Sequence, residues 1–206
     1  MVNILHIDSS PRAERSHSRE LSKEFVSSWK AAHPEDAIAY RDLGRHPVPH
    51  VDEAWIAAAF SPPETHTPEL TEAIRISDEL IDELLAADRY VFGVPMYNLN
   101  IPSTFKAYID QIVRANRTFA IDAQGGFKGL VEGKKALIIT ARGGDFSATS
   151  PFAAYDFQEP YLRTIFAFIG ITDIQFINAN SLNEGDARTQ SLSEARAAIQ
   201  DLITQW

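Results

Sequence analysis

Gly93-Val94-Pro95-Met96-Tyr97-Asn98-Leu99-Asn100-Ile101-Pro102-Ser103-Thr104-Phe105-Lys106 is the stretch whose reading decides the fold. Ahead of it, Arg89 to Val94 is a short apolar run with β-branched and aromatic residues, bounded by Pro95, which reads as a buried strand. Behind it, Pro102 suits a first helical turn, where the missing N–H costs nothing. Phe105, Tyr108, Ile109, Ile112 and Val113 then recur at helical spacing to about Asn116. The connection, Met96 to Pro102, is bulky where a plain loop would use Gly, Ser and Asp. Met, Tyr, Asn and Leu at a strand's carboxyl end can hold a flat, partly apolar ligand, and open α/β sheets bind ligands at that end.

Upstream, Val2 to Asp8 reads as the first strand, with His6 a core or edge histidine rather than a ligand. Ser9-Ser10-Pro11-Arg12-Ala13-Glu14-Arg15-Ser16-His17-Ser18 follows, and then a helix with Leu21, Phe25, Val26 and Trp29 on one face. Ser16 or Ser18 therefore stands at a helix N-terminus, where free N–H groups and the dipole favour a phosphate without any metal. Ala37 to Asp42 is a second strand and Asp52 to Ala59 a short helix; a longer helix begins at Pro68 with Thr67 as its cap, its buried stripe running from Leu70 to Leu85.

Downstream, Thr118 to Val131 alternates around Gly125-Gly126 and reads as a hairpin-like excursion. Lys135 to Thr140 is the fourth strand, ending in Ala141-Arg142-Gly143-Gly144, whose paired glycines permit positive φ and a close backbone approach to a ligand. Phe152 to Ile169 reads as helical, Asp173 to Ala179 as the fifth strand, and Ser191-Leu-Ser-Glu194 as a capping box opening the last helix. Five strands alternating with helices imply an α/β chain with a parallel sheet covered on both faces.

Composition narrows the function. The 206 residues are 45% hydrophobic, with no linker-like stretch and no repeat, which points to one domain over 1–206. A net charge of −9 without a basic cluster argues against nucleic acid. No cysteine means no disulfide, thiolate metal site or cysteine nucleophile. Neither a signal peptide nor a run of roughly 18 to 20 apolar residues is present, so the expectation is a soluble, cytoplasmic protein off the membrane. Gly129 to Lys135 has the wrong spacing for a nucleotide P-loop, and G-x-G-x-x-G and G-x-S-x-G are absent.

The Pro-Met-Tyr-Asn loop, Ser9-Ser10, Ser16-His17-Ser18 and Arg142-Gly143-Gly144 together closely resemble the FMN-dependent NADH-azoreductases, also described as NADH:quinone oxidoreductases, a flavodoxin-like family. The likeness extends to Arg41-Asp-Leu43 and Phe168-Ile-Gly-Ile-Thr-Asp173 and so spans essentially the full chain. It implies a doubly wound sheet in the order 2-1-3-4-5, which brings the loops after strands one, three and four to one crevice. It implies non-covalent FMN held by Ser10, Ser16, His17, Ser18, Met96, Tyr97, Asn98, Leu99, Ala141, Arg142, Gly143 and Gly144, with no metal and no catalytic side chain. NADH would be the donor, and quinones or azo compounds the acceptors, in ping-pong turnover. A homodimer would place the flavin sites at the subunit boundary. Leu99 and Ala141 depart from the Phe and Ser frequent in the family, which bears on substrate range more than on FMN binding. The rival reading is a flavodoxin-type electron carrier; the extra loops and the lack of a flavodoxin-style phosphate loop weigh against it.

Overall fold

The computed structural model describes all 206 residues. In chain order the elements are β1 (Asn3–Asp8), α1 (His17–Ala32), β2 (Ala37–Asp42), α2 (Glu53–Ala59), α3 (Pro68–Ala86), β3 (Arg89–Pro95) and α4 (Ser103–Ile112). There follow β4 (Phe119–Ile121), β5 (Phe127–Gly129), β6 (Lys135–Ala141), α5 (Gln158–Ile169), β7 (Asp173–Ala179) and α6 (Gly185–Ile203). The main sheet runs β2-β1-β3-β6-β7 and every pairing in it is parallel, the order 2-1-3-4-5 once the small hairpin is set aside. The hairpin is β4 against β5, antiparallel, as the alternation around Gly125-Gly126 indicates.

The period of two along each strand divides the core between the faces. On β3, Tyr90, Phe92 and Val94 join α3, α4 and α5 through Leu84, Phe105, Ile109 and Phe166. Val91 faces the other way with Leu137 and Ile139, against Leu21 and Phe25 of α1 and Ile199 of α6. Burial on both faces is why these strands read as near-continuous apolar runs.

Three element boundaries differ from the periodic reading. α4 ends at Ile112, not near Asn116, because Thr118 Oγ1 donates to the Ile112 carbonyl at 2.7 Å and accepts the Arg114 amide at 3.0 Å. α5 begins at Gln158, not Phe152. Asp156 Oδ1 caps it by accepting the amides of Gln158 and Glu159 at 2.9 and 3.1 Å, and Ala153–Tyr155 form only a 3-10 turn. α6 begins at Gly185, so Ser191 and Glu194 lie inside it; the intended box residue Glu194 instead accepts from the Gln190 amide group one turn back. Within α3, Leu85 is exposed and Leu80 occupies the stripe.

Gly93 sets how closely α1 can lie on the sheet. A Cβ there would stand 2.2 Å from Asp8 Oδ1 and 3.0 Å from Ser22 Oγ. Gly93→Ala is expected to lower the unfolding free energy by about 1–3 kcal/mol, the usual cost of overpacking. Urea denaturation measures it, and a loss below about 0.5 kcal/mol would show that this contact gives way freely.

Candidate active site

Three loops leave the carboxyl ends of β1, β3 and β6 and meet around a cleft of about 320 Å³. Ser10, Arg12, Ser16 and His17 come from the first loop, Pro95 to Tyr97 from the second, and Ala141 to Gly143 from the third. Leu182, Asn183 and Arg188, after β7 and in the opening of α6, close the remaining side. No carboxylate lines it.

The first wall is the N-terminus of α1. Ser16 is its cap, with Oγ accepting the Arg19 amide at 3.4 Å and lying 3.2 Å from the buried Ser18 hydroxyl. The amides of His17 and Ser18 have no acceptor in the protein, and His17 Nδ1 is buried without a hydrogen-bond partner, Glu20 lying 3.5 Å away. Such a terminus attracts an anion through its free N–H groups and dipole.

Behind this wall is a partly buried polar network. Arg19 donates Nε–H to the Ser10 carbonyl at 2.7 Å and makes a bidentate pair with Asp42. Asp8, 3% exposed, accepts from Ser22 Oγ at 2.8 Å and from the Tyr40 hydroxyl at 3.0 Å. His6 packs beside it, Nε2 3.5 Å from Asp8 Oδ1. Burial and the Asp8 charge raise the Tyr40 phenol far above its ordinary pKa, which keeps it a donor. Burial alone would lower the Arg19 pKa; the Asp42 bond and the Asp8 charge outweigh it and raise it.

The second wall is a two-residue turn. Tyr97 and Asn100 exchange both backbone hydrogen bonds, at 2.8 and 3.1 Å, around Asn98 (φ 48°) and Leu99 (φ 71°). Asn tolerates positive φ; a leucine there costs about 1–2 kcal/mol. Strain of this kind gathers at functional sites. The Leu99 carbonyl is tied to the Phe157 amide at 3.2 Å, which fixes the turn against the segment entering α5.

The third wall presents backbone. The amides of Gly143 and Gly144 have no acceptor, while their carbonyls accept from Asn183 and Ser181 at 3.0 and 2.9 Å. Neither glycine has positive φ, contrary to the expectation for the pair. A Cβ on Gly143 would meet Asn183 Nδ2 at 2.4 Å, so the glycine lets that side chain lie against the loop. The Arg142 side chain is 1% exposed and runs into the protein. Its Nε donates to Gln158 Oε1 at 3.0 Å, and its guanidinium pairs with Asp156 at 2.9 Å and lies 3.7 Å from Glu159. Burial lowers its pKa, and Asp156 and Glu159 oppose the shift.

Of the residues singled out by sequence, the structure gathers Ser10, Ser16, His17, Met96, Tyr97, Ala141, Arg142 and Gly143 on the cleft. Ser18 lies directly behind Ser16; Asn98, Leu99 and Gly144 stand on the flanking turns outside the lining. Arg12, from the serine- and arginine-rich loop after β1, also lines it, as do Asn183 and Arg188, which had no motif to announce them.

A family model described as Flavodoxin-like fold matches residues 2–203. The FMN-dependent NADH:quinone oxidoreductase of Nostoc punctiforme is 89% identical over 206 residues, covering all of both chains. The chain belongs to the flavodoxin-like family of FMN-dependent NADH:quinone oxidoreductases and azoreductases. Within it, FMN-dependent NADH:quinone oxidoreductase 2 of Pseudomonas putida is 45% identical over 97% of this chain and 98% of its own. Among solved structures, an azoreductase from Bacillus anthracis superposes with a TM-score of 0.92 at 28% identity over all of both chains. An FMN-dependent NADH-azoreductase of that species, in complex with FMN, gives 0.89 at 27% identity over 98% of each.

Arg142→Ala leaves Asp156 without its cation, while Glu159 keeps Arg163 at 2.6 Å. Breaking a buried pair by removing one partner costs about 3–5 kcal/mol. The variant is therefore expected to lose about 3 kcal/mol in chemical denaturation, with its loop after β6 loosened. A variant as stable as the parent would show that this network contributes nothing.

Proposed function

We propose that the chain binds FMN in this cleft and uses NADH to reduce quinones to hydroquinones by two-electron transfer, and aromatic azo compounds to amines. The observation that carries the reading is the α1 N-terminus, with unpaired His17 and Ser18 amides, set in a carboxylate-free cleft beside an aromatic-bearing turn. These residues fit a phosphorylated flavin: an anion site at one end, an apolar and aromatic wall at Met96 and Tyr97, and unpaired amides at Gly143 and Gly144. When bound, FMN supplies the chemistry of hydride acceptance and donation.

The chain's own residues bind, orient and shield. The Ser10, Ser16 and Ser18 hydroxyls and the helix end hold the phosphate. Met96 and Tyr97, with Asn98 and Leu99 on the turn beside them, would flank the flavin, and the Ala141 to Gly144 backbone would offer it N–H donors. No buried acid–base pair borders the cleft, and none is required. NADH and acceptor share one opening, so NAD leaves before the acceptor enters. Turnover is then ping-pong.

FMN, rather than FAD, is expected to copurify or reconstitute stoichiometrically. The purified protein should oxidise NADH steadily with a quinone, giving parallel double-reciprocal lines at several quinone concentrations. Intersecting lines would exclude the ordered departure of NAD. Tight FMN without steady NADH oxidation would mark an electron carrier instead. Ser16→Ala/Ser18→Ala should bind FMN at least tenfold more weakly, charge-assisted hydrogen bonds being worth roughly 1.5–3 kcal/mol each; unchanged affinity would remove the phosphate assignment.

The second part of the proposal is a homodimer with its flavin sites at the boundary. Phe60, Ile121 and Phe127 are 81%, 65% and 66% exposed, more bare apolar surface than a monomer usually carries there. Sedimentation at micromolar concentration is expected to give twice the chain mass. A fully active monomer would refute it.

A further inference from the structure

We infer that Arg12 and Arg188 form a two-sided clamp on the FMN phosphate at the mouth of the cleft, an inference that rests on the function proposed above. The chain is acidic, with 28 carboxylate side chains against 19 lysines and arginines, so a guanidinium left without a carboxylate is unusual here. Arg89 is held by the Trp206 carbonyl and two indole rings, and the other arginines but three are ion-paired. Arg12, Arg15 and Arg188 are those three, and Arg12 and Arg188 both line this cleft.

They approach it from separate elements. Arg12 sits in the loop between β1 and α1, where its amide donates to Ser10 Oγ at 3.3 Å. Arg188 lies in the opening of α6, its amide bonded to the Glu184 carbonyl at 2.8 Å. Ser16 and His17 form the wall they share, and no carboxylate lines the cleft to neutralise them. Two free guanidiniums beside a helix N-terminus whose first amides are unpaired constitute a recognition set for a dianionic phosphate monoester. Neither residue reaches the motifs that define the fold, and both are exposed, so their removal leaves the core intact.

The phosphate could belong to FMN or to the nicotinamide dinucleotide. FMN is favoured because the arginines share their wall with Ser16 and His17, while Met96 and Tyr97 take the planar end of the same cleft. The test compares FMN with riboflavin, which lacks only the phosphate. Binding to the apoprotein is followed by flavin fluorescence quenching at two salt concentrations, with KM for NADH measured separately. Arg12→Ala and Arg188→Ala are each expected to weaken FMN about tenfold, equal to about 1.4 kcal/mol. Riboflavin affinity and KM for NADH should stay within about twofold, and the salt dependence of FMN binding should flatten. Arg15→Ala, the same charge change off the cleft, should leave FMN binding within about twofold.

Equal weakening of FMN and riboflavin would overturn the clamp, as would a rise confined to KM for NADH. Unchanged FMN affinity in Arg12→Ala and Arg188→Ala, with a loss in Ser16→Ala/Ser18→Ala, would overturn the clamp alone and leave the phosphate site on α1 standing. A parent protein that binds FMN no better than riboflavin would overturn both.

Discussion

The site depends on one constraint: the hold of Arg19 on the Ser10 carbonyl. Arg19 leaves the first turn of α1 and reaches back to the loop that ends β1, so helix and loop cannot move apart. Asp42 grips the same guanidinium from β2, and Asp8 with Tyr40 fills the space beneath. Gly44 makes this geometry possible, since a Cβ there would stand 2.1 Å from the Ser10 oxygen. The result is a helix terminus at the cleft wall whose first amides are free before any ligand arrives. Preorganised donors of this kind cost no reordering on binding.

A second network braces the opposite side. Arg142 and Gln158 join β6 to α5, and Gln158 Nε2 donates to the Val94 carbonyl of β3 at 3.1 Å. Glu159 accepts from Asn178 of β7 at 2.7 Å, and Asn178 in turn accepts from Thr140 at 2.8 Å. Three neighbouring strands are thereby tied to the start of α5, and Phe157 carries that tie to the strained Leu99 turn. The turn's left-handed backbone is held by the Tyr97–Asn100 backbone pair and the Phe157 bond to the Leu99 carbonyl. Between the two networks the cleft has rigid walls and an electropositive lining within an acidic chain.

The sheet was legible because a parallel strand buried on both faces leaves an apolar run that few other structures produce. The cleft's main walls were legible for a chemical reason: Ser16 to Ser18 and Met96 to Leu99 are residues an ordinary loop would not choose. Where reading failed, a side chain competed with the backbone. Thr118 ended α4 from beyond its periodic segment, Asp156 began α5 from within the stretch read as helical, and Ser191-x-x-Glu194 fits a capping box equally well inside a helix. Arg142 read as a ligand by position, yet its side chain turns inward to two carboxylates, Asp156 ahead of α5 and Glu159 in its first turn. Asn183 and Arg188 were silent because only the doubly wound topology brings the loop after β7 beside the loop after β1, whereas Arg12 stands in the serine- and arginine-rich loop itself.

The central claim is that a flavin phosphate sits on the N-terminus of α1 and its ring system lies between the loops after β3 and β6. Amide NMR of the labelled apoprotein titrated with oxidised FMN tests this most directly. The account predicts the largest shift changes at the amides of His17 and Ser18 together with those of Asn98, Gly143 and Gly144. Riboflavin should reproduce the changes at Asn98, Gly143 and Gly144 and spare His17 and Ser18. Shifts clustered instead around the separate groove of Phe60, His66 and Arg117, with the α1 terminus unmoved, would contradict it.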